Sequence, residues 1–107
     1  MIQLETSFVK KKAQYTQVYV SPNMYIYRVD NPRASLLPFW EVFKTVIKQP
    51  DIYHADEYVS YPGDERFGLN AWACSTLGSV RKVLAKHFAD DDINTVSDEA
   101  LSEILTK

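Results

Sequence analysis

Cysteine is all but absent. Cys74 stands alone, so no internal disulfide can form, and a reducing, cytoplasmic setting is the expectation. Glycine is also scarce: Gly63, Gly68 and Gly78 are the only three, and none builds the glycine-rich loop that cradles a nucleotide phosphate before a helix. No run is apolar enough for long enough to span a membrane, and Met1-Ile2-Gln3-Leu4-Glu5 is not a secretory signal. A net charge of −2 sets the chain against broad nucleic-acid binding. Together these absences predict a chain with no cofactor, no metal and no membrane association.

Apolar and aromatic residues are plentiful. With 46% hydrophobic and 13% aromatic side chains in 107 residues, one core can form without metal or disulfide, so residues 1–107 are expected to make a single domain. All seven tyrosines, Tyr15, Tyr19, Tyr25, Tyr27, Tyr53, Tyr58 and Tyr61, lie between positions 15 and 61. Tyrosine carries a large apolar ring and a hydroxyl at low rotamer cost, which suits both sheet faces and binding surfaces. Charge is split along the chain. Residues 1–50 hold seven Lys/Arg against three Asp/Glu, and residues 51–107 hold five against eleven. Such a split produces a polarised surface unless the halves interleave.

The periodicity predicts β-β-β-α-loop-β-α-α. Short strands are expected over Ile2–Val9, Gln14–Val20 and Met24–Val29, the last two joined as a hairpin at Ser21-Pro22-Asn23. Strict alternation would place Tyr15, Gln17 and Tyr19 on one face, with Thr16, Val18 and Val20 on the other. Pro38 followed by Phe39, Val42, Phe43, Val46 and Ile47 predicts a helix stopped at Pro50, with Glu41, Lys44 and Lys48 facing water. Pro62-Gly63 reads as a turn, a short strand fits Tyr58–Tyr61, and Phe67–Cys74 reads as a further strand. Ser75 is the expected cap of a helix with Leu77, Val80, Leu84 and Phe88 on its apolar stripe. Asp90-Asp91-Asp92 breaks that helix, and Thr95 or Ser97 caps a short last one. The class is α+β: a small, mostly antiparallel sheet with helices packed on one face.

Catalytic patterns are thin. Cys74 could pair with His54 or His87 as an activated nucleophile, yet Ala71-Trp72-Ala73-Cys74 reads as a buried run in which the thiol is inert. Asp90, Asp92 and Asn94 imitate the start of a calcium loop, but Thr95 and Leu101 stand where Gly and Glu are required. His54, Asp56 and Glu57 form an incomplete metal set. Arg28, Arg33, Arg66 and Arg81 are the candidate anion clamps, with surface ion pairs as the plainer reading.

Two segments, Met24-Tyr25-Ile26-Tyr27-Arg28-Val29 and Arg66-Phe67-Gly68 with Ala71-Trp72-Ala73-Cys74-Ser75-Thr76, resemble the first two core elements of ADP-ribosyltransferase-like folds. The resemblance implies a site for NAD or a nucleotide at Arg28 and Ser75. The family's third element, a late strand bearing a catalytic Glu, has no counterpart, which implies a degenerate, inactive relative.

The leading expectation is a protein-interaction or inhibitor-type domain, in the style of immunity, phage or mobile-element proteins. Its contact surface would be Tyr-rich and acidic: Tyr25, Tyr27, Tyr53, Asp56, Glu57, Tyr58, Tyr61, Asp64, Glu65 and Arg66. Carboxylates in that set would steer a basic protein partner, and a homodimer is another way to bury surplus rings. Single-stranded nucleic acid held by Lys10-Lys11-Lys12, with bases stacked on Tyr15 and Tyr19, is the second alternative.

Overall fold

A computed structural model describes residues 3–31, 38–62 and 67–107. Ile2, Pro32, Arg33, Gly63, Asp64, Glu65 and Arg66 therefore lie outside the described residues. The fold is α+β: a five-stranded antiparallel sheet with two C-terminal helices against it. Strands β1 (Ser7–Lys10), β2 (Ala13–Val20), β3 (Met24–Asp30) and β4 (Phe39–Lys44) form a meander, and β7 (Ala71–Cys74) joins the free side of β4. A separate two-stranded ribbon pairs β5 (Ile47–Lys48) with β6 (Tyr58–Val59). Helix α1 (Leu77–His87), a 3-10 turn (Asp92–Thr95) and α2 (Asp98–Leu105) complete the chain.

The turn between β1 and β2 is tight. Lys10 pairs with Ala13, and Lys11 and Lys12 between them both take positive φ, 52° and 67°. Two positive-φ residues in a two-residue hairpin make a type I′ turn, a place usually filled by Asn-Gly. Left-handed backbone costs a non-glycine residue roughly 1–2 kcal/mol, so this turn is strained for two lysines.

Both faces of the sheet are covered. On one face Val18, Met24, Ile26, Val42 and Cys74 pack beneath Val80, Leu84 and Phe88 from α1, Ile93, and Leu101 and Leu105 from α2. On the other face Tyr25, Tyr27, Phe43 and Ala71 pack beneath Val59 and Tyr61 from the ribbon segment and Leu4 from the N-terminal segment, with Phe8 and Tyr15 alongside. Strand β3 is therefore buried on both sides, and Met24, Tyr25, Ile26 and Tyr27 are all sealed from solvent.

The helix expected over residues 39–48 is instead β4 and β5. The same apolar positions serve a central strand clothed on both faces, which loses the alternation that marks a half-buried one. Val42, Val46 and Ile47 are β-branched and Phe39, Trp40 and Phe43 aromatic, the composition that a pleated surface favours. Glu41 consequently points inward, at 8% exposure, while Lys44 and Lys48 remain exposed.

Alternation along β2 also fails at one place. A bulge between Gln17 and Tyr19 shifts the register, so Gln17 faces Tyr27 but Tyr19 pairs with Ile26. An extra residue re-aims every side chain beyond it. Tyr15 and Gln17 thus stay on the aromatic face, whereas Tyr19 moves to the helix-covered face. There its hydroxyl donates to Asp91 Oδ1 at 2.7 Å.

The helices begin where side chains satisfy their first amides. Thr76, one residue beyond the expected Ser75, caps α1 in a reciprocal box with Ser79, and Ser97 caps α2 through the Ala100 amide. Trp40 Nε1 donates to the Leu105 carbonyl at 2.9 Å, tying the end of α2 to the sheet. Among the described residues, no helix is long and apolar enough to cross a membrane.

Candidate interaction site

The polypeptide between β5 and β6 closes on one carboxylate. Asp51 Oδ1 accepts the amides of Tyr53 at 2.8 Å and His54 at 2.9 Å, and lies 3.1 Å from His54 Nδ1. Its other oxygen accepts the Tyr58 hydroxyl at 3.0 Å. The His54 ring stacks on Tyr58 with centroids 3.7 Å apart. These bonds hold the Asp51 carboxyl below its ordinary range, chiefly through the Tyr53 amide and then the His54 side chain. Aspartate accepting amides two and three residues on is a recognised turn device. It leaves the intervening residues nowhere to go but outward. Ile52 is 89% exposed and Tyr53 84%, the two most exposed large apolar side chains among the described residues. Asp56 and Glu57 are exposed on the same loop.

The other expected contact residues divide sharply. Tyr25 and Tyr27 are interior, which overturns their expected place on a contact surface. Tyr25 is 1% exposed and donates to Gln3 Oε1 at 2.5 Å. Tyr27 is sealed, donates to the Glu5 carbonyl at 2.5 Å and accepts from Gln17 Nε2 at 3.1 Å. Burial, more than any other cause, raises the Tyr27 hydroxyl above its ordinary value. Tyr61 is half-buried, edge-on to Phe8, Tyr15 and Tyr27, and donates to Glu41 Oε1 at 2.5 Å. Burial first, and then the Glu41 hydrogen bond and charge, push its hydroxyl far up. Tyr58 is half-exposed and serves the loop rather than its tip. Asp64, Glu65 and Arg66 lie outside the described residues.

Nucleophilic and anion-clamping groups are otherwise engaged. Cys74 is buried on the helix-covered face, and burial pushes its thiol up to about 11, which disfavours the reactive thiolate. His87 stacks on Trp72 with centroids 3.9 Å apart, and His54 belongs to the Asp51 loop. Arg28 pairs with Asp30 at 3.0 Å and donates to the Lys107 carbonyl. Arg81 pairs with Asp98 at 3.0 Å and donates to the Val96 carbonyl. Along the sheet, Arg28 sits opposite Trp40, and Trp40 opposite Cys74, so one strand separates Arg28 from Ser75. Among the described residues, no three His, Cys, Asp or Glu side chains converge as a metal set.

The acidic run after α1 is built into the fold. Asp91 accepts Tyr19, Ser21 at 2.6 Å and the Ile93 amide at 3.0 Å, which anchors the 3-10 turn to the end of β2. Asp90 and Asp92 are exposed. Between this turn and the β2–β3 turn lies an open cleft of about 370 Å³, bordered by Asn23, Lys44, His87 and Asp90. Its wall carries Lys44 and His87 together with the acids Asp90 and Asp91, so both signs of charge meet there.

Asp51 and Ile52 are the loop positions that periodicity alone passes over. The available signal was Pro50-Asp51, a turn-forming acid two residues before an aromatic. Comparison with family models, with curated proteins and with solved structures gives no match.

Proposed function

We propose that this chain is a small interaction domain that holds a protein partner through the Asp51–Tyr58 loop, with Ile52 and Tyr53 as the anchors. One observation carries the reading: two large apolar side chains, 89% and 84% exposed, stand at the tip of a loop closed by a single carboxylate. Tyr, with Trp and Arg, dominates binding energy at protein interfaces, and burying Tyr53 together with Ile52 contributes roughly 3–6 kcal/mol before ordering costs. Those costs are reduced here because Asp51, His54 and Tyr58 already fix the backbone. Asp56 and Glu57 flank the tip and favour a partner whose apolar pocket is edged by Lys or Arg. An inhibitor-type role fits this geometry, since a rigid protruding tip can plug a partner's cleft.

The test is capture from native lysate by the wild-type chain, by Ile52→Ala/Tyr53→Ala and by Val20→Ala, an exposed apolar control on β2. A partner retained by wild type and Val20→Ala but lost with the double variant supports the site. Equal capture by all three rejects it. The double variant should unfold within about 0.5 kcal/mol of wild type, because neither side chain is packed.

A further inference from the structure

We infer that the cleft between the β2–β3 turn and the end of α1 binds a free amino acid with an apolar side chain, separately from the Asp51–Tyr58 loop. The first support is a pair of unmet charges. Lys44 and Asp90 are both exposed and border the same cleft. Among the described residues, neither side chain makes a hydrogen bond or an ion pair. Opposite charges that line one cleft without meeting can be bridged by a ligand that carries both an ammonium and a carboxylate. The remaining ionisable groups are already answered. Asp91 accepts the Tyr19 and Ser21 hydroxyls and the Ile93 amide. His87 is neutral near pH 7, because burial first, and then Lys86 and Lys44, lower it from its ordinary value. One cation and one anion are left, which fits a dipolar ligand better than a simple anion or cation.

The second support is an unsatisfied hydroxyl. Thr45 lines the cleft, yet its Oγ1 is buried with no hydrogen-bond partner. A hydroxyl stranded in this way costs stability. Rotation about one side-chain bond would turn it into the cleft, where a carboxylate drawn to Lys44 offers an acceptor. His87, its ring fixed by stacking on Trp72, adds a neutral donor to the same wall. The third support is shape. At about 370 Å³ the cleft lies at the small end of ligand sites, which run from about 300 to 1,000 Å³. Pro22, Ile47, Phe88 and Ala89 make its apolar part, and Ile47 is 46% exposed, so an aliphatic side chain has a surface to cover. The walls are tied in advance. The Thr45 amide donates to the Asn23 carbonyl at 2.9 Å, and the Asp91 amide to the Phe88 carbonyl at 2.9 Å. A site already formed loses less on ordering when it binds.

The test is calorimetric titration of the full chain with L-leucine at pH 7, with the His87 ring signals followed by NMR. Saturable binding with a Kd of about 1 mM and movement of the His87 signals are expected. Isocaproate keeps the carboxylate and the side chain, and isopentylamine keeps the ammonium and the side chain. Each should bind the wild-type chain at least about 10-fold more weakly than leucine. Lys44→Met and Asp90→Asn should each weaken leucine binding by about 10-fold, whereas Lys82→Gln, exposed on α1, should leave it unchanged. Thr45→Val replaces the stranded hydroxyl with a methyl group. It should weaken leucine binding about 3- to 10-fold and raise the Tm of the free protein by roughly 2–8 °C. Neither saturable heat nor movement of the His87 signals at about 20 mM leucine overturns the proposal. Binding of either single-charge analogue as tight as that of leucine overturns it too, as does undiminished binding by Lys44→Met, Asp90→Asn or Thr45→Val.

Discussion

The two faces of the central sheet are stabilised by different means. Beneath α1 and α2 the sheet presents Val18, Met24, Ile26, Val42 and Cys74, shapes without directional bonds. Beneath the ribbon segment it presents Tyr25, Tyr27 and Phe43, with Tyr61 laid across them. Each buried phenol there has a named acceptor: Gln3 for Tyr25, the Glu5 carbonyl for Tyr27, and Glu41 for Tyr61. The helix-covered face is held at its centre by volume, with directional bonds only at its margin, from Tyr19 to Asp91 and from Trp40 to the Leu105 carbonyl. The aromatic face is held by volume and by hydroxyl positions, so it specifies the register of the strands as well as their burial.

Substitutions of matched size should separate these modes. The largest effects come from emptying either side. Leu84→Ala beneath the helices should cost about 2–5 kcal/mol, and Phe43→Ala on the aromatic face about 3–5 kcal/mol, by chemical denaturation. The next effect distinguishes the faces. Tyr27→Phe keeps the ring but strands the Glu5 carbonyl and the Gln17 amide, and should cost about 1–3 kcal/mol. Leu84→Met, equally conservative in volume, should cost less than about 1.5 kcal/mol. A Tyr27→Phe variant as stable as wild type would show that hydroxyl positions do not matter on the aromatic face.

The smallest effect is a dependence on alkaline pH. Burial first, and then the hydrogen bond to Asp91, push the Tyr19 hydroxyl up to about 12. An unfolded phenol titrates near 10. Between these values the unfolded chain has released its proton and the folded chain has not. Stability is therefore intact below about pH 10 and declines as pH rises toward 12. Tyr61, raised further by burial and Glu41, carries the decline onward. Denaturant midpoints measured from pH 9 to pH 12 should show a shallower fall for Tyr19→Phe than for wild type, and shallower again when Tyr61→Phe is added.

Much of this architecture can be read from the residues. Turn residues at Ser21-Pro22-Asn23 mark the β2–β3 hairpin, and the stripe Val80, Leu84 and Phe88 marks α1. Residues 39–48 read as helix because a strand buried on both faces shows no alternation, and a continuous apolar run fits either period. Tyr19 reads as facing Tyr15's side because no local sequence signal marks the bulge that turns it over. The site was legible in part. Tyr53, Asp56, Glu57 and Tyr58 share the exposed loop, but Tyr25 and Tyr27 could be assigned to the interior only with the covering segment in place. That cover comes from Val59 and Tyr61, far along the chain from the strands they protect.

The order of synthesis gives this last point a cost. Strands β1 to β4 leave the ribosome before almost everything that shields them, since the ribbon residues, β7 and both helices all come later. For that interval the nascent meander exposes greasy side chains on both surfaces and an open hydrogen-bonding edge on β4. Such a species is a natural chaperone client and a seed for aggregation. Slowing translation between β4 and β7 should lower the yield of native protein.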